Sequence, residues 1–239
     1  MTAPPQQRPQ PAGSAAAEHV AGPSLVRVRV WDLPVRVVHW LIVACILVLS
    51  VTGFLIGGPA VLHPASSLDW ITWEKTIHMF TAYVFIALIL ARICWMFLSP
   101  NRWCRWTEWI PTTKARLRLL IPSLRYYLFL DREGPPVVGH NPLAGLAYTV
   151  LYLMFGVEIL TGVALWGVQG EAWAATVTGW LVVLVPLQTI RLIHHVIMWL
   201  IVAFLVHHIY SAMLLDRVEA SGVNSSIFSG FKFLPRDRL

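Results

Sequence analysis

His39, His78, His194 and His208 sit inside long apolar runs of this 239-residue chain. Imidazole in lipid is costly and is satisfied there by a hydrogen-bond partner or a metal. His194 and His208 share one run and lie fourteen residues apart. On a helix that spacing sets them about 21 Å apart along the axis and only about 40° apart around it. Two imidazoles on one face at two depths, with one more on each of two other helices, make two axial pairs. Such pairs are the ligand set of two stacked, bis-histidine b-type haems. The chemistry implied is electron transfer across a membrane.

The composition fits that setting. Hydrophobic residues make up 57% of the chain, charged residues only 13%, and there are twelve tryptophans, which excludes an ordinary soluble domain. In so apolar a chain the net charge of +6 reads as loop charge beside lipid, with no nucleic-acid partner. Cys45, Cys94 and Cys104 are scattered, without a C-x-x-C-H for covalent haem or a paired spacing for zinc or disulfides. Cys45 and Cys94 read as small packing residues.

Four elements must position the histidines. Apolar runs extend from about Val37 to Ile56, Ile71 to Leu98, Pro142 to Trp166 and Thr189 to Leu215. Each is long enough to cross a hydrocarbon core of about 30 Å. The expected fold is an all-α membrane protein, a four-transmembrane-helix bundle binding two b haems, with interfacial helices. With a cytoplasmic N-terminus, sixteen Lys and Arg fall on inner segments, Arg92 among them, and only Lys75 and Arg191 on outer ones. That asymmetry places both termini on the cytoplasmic side of the membrane. Ala172–Pro186 is apolar but short for a span, and reads as a helix in or dipping into the outer interface, with a fifth span, which would put the basic C-terminus outside, as the other reading. Lys114–Leu130 mixes arginines with Leu, Ile, Tyr and Phe, and reads as an inner interfacial helix broken near Pro122.

Residues 1–24 are rich in Pro, Ala and Gln, without periodicity or the apolar core of a signal peptide. The domain reading is a disordered cytoplasmic tail over 1–26, a dihaem domain over 27–217 and a cytoplasmic tail over 218–239.

Orientation turns spacing into depth. His39 and His208 lie toward the cytoplasm and His78 and His194 toward the outside, so depth pairs His78 with His194 and His39 with His208. Gly53 follows His39 by fourteen residues, on nearly the same face, where a missing side chain lets a porphyrin approach the backbone. Thr161-Gly162 repeats Thr52-Gly53 at similar depth; the other reading of both is ordinary small-residue helix contact. His195 and His207 point about 100° away from the ligands and read as structural. His19 in the tail and His63 in a loop have no case.

Arg36-Val-Val-His39-Trp40, continuing through Thr52-Gly53, resembles a signature of b-type cytochrome subunits of membrane-bound nickel–iron uptake hydrogenases. Arg191-Leu-Ile-His194-His195, with Trp199, Phe204 and His208, resembles the second signature. Glu74–Asn101, Gly139-His140-Asn141-Pro142-Leu143-Ala144 and Ile159-Leu160-Thr161-Gly162 are also similar to the family. The resemblance covers roughly residues 27–231. Leu192 departs from the family pattern, where Ser, Thr or Ala is usual.

The resemblance implies the same four histidines as ligands of two non-covalent b haems. It also implies partners: a large nickel–iron subunit that splits hydrogen and a small iron–sulfur subunit that feeds electrons to the outer haem, with quinone as acceptor. The chain by itself is then not a hydrogen-oxidising enzyme, and it has no four-cysteine set for such chemistry. The cytochrome subunits of formate dehydrogenase and thiosulfate reductase are a related alternative, and a stand-alone b561-type electron carrier another. Arg36 and Arg191 each precede a ligand by three residues and are candidate partners for haem propionates, with topogenic charge as the other reading of Arg36. Glu158 lies deep in the third run, protonated or paired, for example with Arg191. His140 and Asn141 are candidates for the quinone, through an amide donor and acceptor and an imidazole that titrates near neutrality. Asn141 also suits a helix cap ahead of Pro142.

Overall fold

The computed structural model describes residues 25–58, 68–128, 130–131, 134, 138–139, 141–219 and 221–235. The reading of residues 1–24 as a disordered tail, and everything concerning His63 and His140, lies outside the described residues. In chain order the elements are β1 (Leu25–Arg29), α1 (Leu33–Gly57), α2 (Leu68–Leu98), α3 (Lys114–Arg118), α4 (Leu120–Tyr127), α5 (Pro142–Val168), α6 (Ala172–Leu184), α7 (Leu187–Glu219), α8 (Val223–Ser229) and β2 (Phe231–Pro235). Single 3-10 turns at Arg102–Cys104 and Trp106–Glu108 lie between α2 and α3.

Among the described residues four helices, α1, α2, α5 and α7, are long and apolar enough to cross a membrane. Their local signals are plain. Pro34 occupies the first turn of α1, where its missing N–H costs nothing. The Asn141 side chain accepts from Leu143 N at 2.9 Å ahead of Pro142, which starts α5. At its far end α7 runs past Asp216 and Arg217 to Glu219, with Arg217 in the last turn, where a cation suits the helix dipole. The 13-residue α6 rises only about 20 Å, short of a hydrocarbon core. It packs against α5 across a turn with Gly170 at φ 106°, and a Cβ on Gly167 would meet Ala175 N at 2.6 Å.

Three expectations are corrected. The break in 114–130 falls at Leu119, between α3 and α4. Pro122 instead sits in the first turn of α4, where no N–H is required of it. The chain is not all-α: β1 pairs antiparallel with β2, Leu25 opposite Pro235 and Arg29 opposite Phe231. Both strands and α8 lie in or beside segments read as tails, so the boundaries at 26/27 and 217/218 cut through folded structure. Gly230, at φ 89°, closes α8, and its carbonyl accepts from Val30 N and Trp31 N at 2.9 and 3.1 Å. The indole N–H of Trp31 donates to Ser226 Oγ at 3.0 Å. The third correction concerns Arg92, which sits about two turns inside α2 and is buried.

The bundle is organised by sevens. Ile46, Phe85, Phe155 and Ile201 belong to one buried cluster, with the Phe85 and Phe155 rings edge to face at 5.1 Å. Ile46 lies midway between His39 and Gly53, and Ile201 midway between His194 and His208. Seven residues make nearly two turns, so these midpoints return to the same faces. An aliphatic and aromatic layer therefore separates two polar levels, one near the end that carries β1 and β2 and one near the opposite end.

The β1–β2 end is stapled by Asp32. Its carboxylate accepts from Ser99 Oγ at 2.7 Å and from Asn101 Nδ2 at 3.3 Å, which ties the start of α1 to the end of α2. Burial pushes this carboxyl up, but hydrogen bonds from Ser99, Asn101 and Trp95 and the charge of Arg29 outweigh it, so its pKa lies below the ordinary aspartate value. A depressed carboxylate stabilises the fold above its unfolded pKa of about 3.9 and loses that contribution as pH falls through the lower folded value. Asp32→Ala leaves the two donors unpaired and is expected to cost about 1–3 kcal/mol. Thermal unfolding in detergent checks this: the deficit should be present at pH 7 and shrink in acid.

Candidate functional site

The four histidines meet in two pairs. The His78 and His194 ring centres are 6.5 Å apart with planes at 64°. Those of His39 and His208 are 6.3 Å apart at 63°. A metal–imidazole bond is about 2.0 Å long, and the ring centre lies roughly 1 Å beyond the nitrogen. Two imidazoles facing one iron therefore stand about 6 Å apart, as both pairs do. The structure brings together the partners that depth assigned. Each pair offers two axial ligands, and a porphyrin supplies the four equatorial nitrogens.

Near the opposite end, two threonines set the imidazoles. Thr52 Oγ1 lies 2.8 Å from His78 Nδ1 and donates its own proton to Val48 O at 2.8 Å. Thr161 repeats this, 2.9 Å from His194 Nδ1 and donating to Val157 O at 2.8 Å. A hydroxyl has one proton. With it committed to the helix backbone, the oxygen accepts from Nδ1–H, and the lone pair of the ring is left on Nε2. That is the tautomer that binds a metal through Nε2, with the second nitrogen held by an outer hydrogen bond. Thr52 and Thr161 are the partners of the imidazoles that sequence reasoning misses. The Thr-Gly echo is the signal in the sequence that marks them.

Each of those glycines lies beside an imidazole. A Cβ on Gly53 would meet His78 Cε1 at 3.4 Å, and one on Gly162 would meet His194 Cε1 at 3.1 Å. A side chain at Gly162 would thus require the His194 ring to give by a few tenths of an ångström. The level near β1 and β2 is built differently. There Phe204 stacks on His208 at 5.9 Å, and the Tyr148 ring stands edge-on to His208 at 5.8 Å. His39 meets Trp40 edge to face at 5.4 Å.

The remaining candidates divide. The Arg36 guanidinium donates to Phe228 O at the end of α8, so it braces the C-terminal segment. Arg191 is exposed near the start of α7. Glu158 does not pair with Arg191; its Oε1 lies 3.4 Å from His194 Nε2. Asn141 caps α5 through its oxygen, and the amide nitrogen is the group left for a ligand. By rise, Asn141 sits about 10 Å nearer the β1–β2 end than Tyr148. His195 turns toward Gly57 and Trp199, and His207 lies 3.3 Å from Ser211 Oγ on the exposed side, as structural histidines would.

Known proteins resemble this chain over most of its length. Residues 30–230 match the family model described as prokaryotic cytochrome b561. A probable Ni/Fe-hydrogenase B-type cytochrome subunit of Cupriavidus necator is 35% identical over 219 residues, covering 89% of each chain. The corresponding protein of Bradyrhizobium diazoefficiens is 34% identical over 92% of this chain and 90% of its own. A probable Ni/Fe-hydrogenase 1 B-type cytochrome subunit of Escherichia coli K12 is 32% identical over 85% of this chain and 89% of its own. The matched region runs from the residue after β1 to the end of α8 and contains both histidine pairs, so this chain belongs to the prokaryotic cytochrome b561 family.

Proposed function

We propose that the chain is the dihaem cytochrome b subunit of a respiratory nickel–iron hydrogenase, carrying electrons from a periplasmic iron–sulfur subunit to membrane quinone. One observation carries the reading: two histidine pairs at iron-spanning separation, 6.5 and 6.3 Å between rings, on four apolar helices. The names of the relatives favour hydrogenase over formate dehydrogenase or thiosulfate reductase as the partner. The chain is then an electron-transfer subunit, with hydrogen oxidation in the large and small subunits.

The charge asymmetry supports cytoplasmic termini in the bacterial inner membrane, with the His78–His194 level outside and the His39–His208 level inside. α6, and α3 with α4, suit the outer and inner interfaces respectively. The outer connections around 57–70 and 168–188 are the surface for the iron–sulfur subunit.

When bound, the haems supply one-electron carriage between the two levels. The residues do the rest. The four histidines would hold the two haem irons, one pair to each. Thr52 and Thr161 keep Nδ1 of the outer ligands protonated, and Gly53 and Gly162 leave room for a flat ring. Glu158 must turn aside for His194 Nε2 to face an iron. At the inner mouth of α5, the Asn141 amide donates to a quinone carbonyl while its oxygen caps the helix. His140 passes a proton from the cytoplasmic side, so turnover builds a membrane potential.

Three outcomes test this reading. A pyridine haemochrome assay should return two haems per chain. His194→Ala should remove the outer haem alone and His208→Ala the inner alone; one haem in the unmutated protein contradicts the two-pair reading. Thr52→Val or Thr161→Val should weaken retention of the outer haem about 10- to 100-fold, with the inner haem unchanged, in a haem-transfer assay against apomyoglobin. Asn141→Leu and His140→Leu should leave both haems bound and reducible by hydrogen in the complex, yet slow quinone reduction at least tenfold. Asn141→Asp, which keeps the cap but not the donor, should behave as Asn141→Leu does; unchanged rates in all three place the quinone at the outer haem.

A further inference from the structure

The fourteen-residue interval recurs in all four long helices. Gly53, His78, Gly162 and His194 form the outer level. Counting fourteen residues along each helix toward the inner side gives His39, Arg92, Tyr148 and His208. At the outer level the two helices that give no ligand present glycine. At the inner level the helices without a ligand are α2 and α5, and they present Arg92 and Tyr148.

Arg92 is only 5% exposed. Its Nη1 is buried without a hydrogen-bond partner, and the guanidinium carbon lies 5.0 Å over the Trp109 ring. Among the carboxylates, Asp32 is the one whose charge reaches Arg92. Asp32, however, is taken up by Ser99, Asn101 and Arg29. No carboxylate among the described residues comes within ion-pair distance of Arg92. A guanidinium at this depth is always charged, and leaving it without an anion is expensive. A b haem held at the same level, between His39 and His208, would bring two carboxylates.

We propose that Arg92 is the counter-charge of the inner haem: it pairs with a propionate of the group held between His39 and His208, and it keeps that haem at the higher potential of the two. The inference rests on the two-haem reading of the previous subsection. One-electron reduction lowers the charge of the site by one, so a fixed positive charge beside it favours the reduced state. At the outer level the opposite bias operates. Thr52 and Thr161 accept from the Nδ1–H of both ligands, which raises imidazole basicity and favours the oxidised state. Both effects point electrons inward, from the outer haem as donor to quinone as acceptor.

A potentiometric titration followed in the visible region, on the full complex with haem content measured in parallel, tests this. In Arg92→Gln the inner haem, assigned in a His194→Ala background, should lose at least tenfold in its reduced-to-oxidised ratio at fixed potential. For one electron that is a fall of about 59 mV. The outer midpoint should stay in place, and Arg92→Lys should retain at least half of the inner potential difference. Loss of the inner haem from Arg92→Gln with retention in Arg92→Lys also supports the pairing. Unchanged midpoints in Arg92→Gln, equal effects of Gln and Lys, or haem loss in both variants overturn it while two-haem binding stands. A single titrating haem in the unmutated complex overturns the two-haem reading itself.

Discussion

The structure depends on a near-coincidence between the α-helical repeat and the number seven. Seven residues are close to two turns and fourteen close to four, so a face chosen at one depth returns at two more, about 10 and 21 Å further on. α1, α2, α5 and α7 all use that face inward. Their midpoints, Ile46, Phe85, Phe155 and Ile201, fill one buried cluster. Their ends hold the two histidine levels. Lipid supplies little driving force for packing apolar helices together. The polar and aromatic contacts at the two levels, with the apolar layer between them, therefore carry much of the specificity of the bundle.

The two levels share a plan but differ in chemistry. The His78–His194 level is held by hydrogen bonds from imidazole to threonine and walled by glycine. The His39–His208 level is contacted by the rings of Tyr148, Phe204 and Trp40. Around this second level the chain adds further structure: the Asp32 staple, the β1–β2 ribbon and α8, which accepts from Arg36. Phe228 stacks on Trp40 at 4.9 Å, so even the last described helix bears on the residue next to a ligand.

Much of this was legible in the residues because the helical period is strict and histidine in an apolar run is rare. The pairing of His78 with His194 and of His39 with His208 needs only spacing and direction. What escaped the sequence is what depends on partners far apart in the chain. A five-residue strand such as Leu25–Arg29 carries little signal until Phe231–Pro235 is known to lie beside it. Arg36 looked like a propionate ligand from its turn before His39, but the carbonyl that claims it belongs to Phe228. Thr52 and Thr161 look like ordinary small residues until the imidazoles opposite are in place. Arg92 was counted as a loop charge because its run continues only to Leu98, and only packing shows it to be buried. Pro122 suggested a break, whereas the chain breaks three residues earlier and uses the proline to start a helix.

The central claim is that the four histidines form two bis-imidazole iron sites in one bundle. Low-temperature EPR of the fully oxidised, unmutated complex addresses it most directly, because axial ligation fixes the spin state of ferric haem. Two distinct low-spin ferric haem signals in equal amounts, one lost in His194→Ala and the other in His208→Ala, are the result predicted. A single low-spin signal, or a stoichiometric high-spin ferric signal in the intact protein, would contradict it.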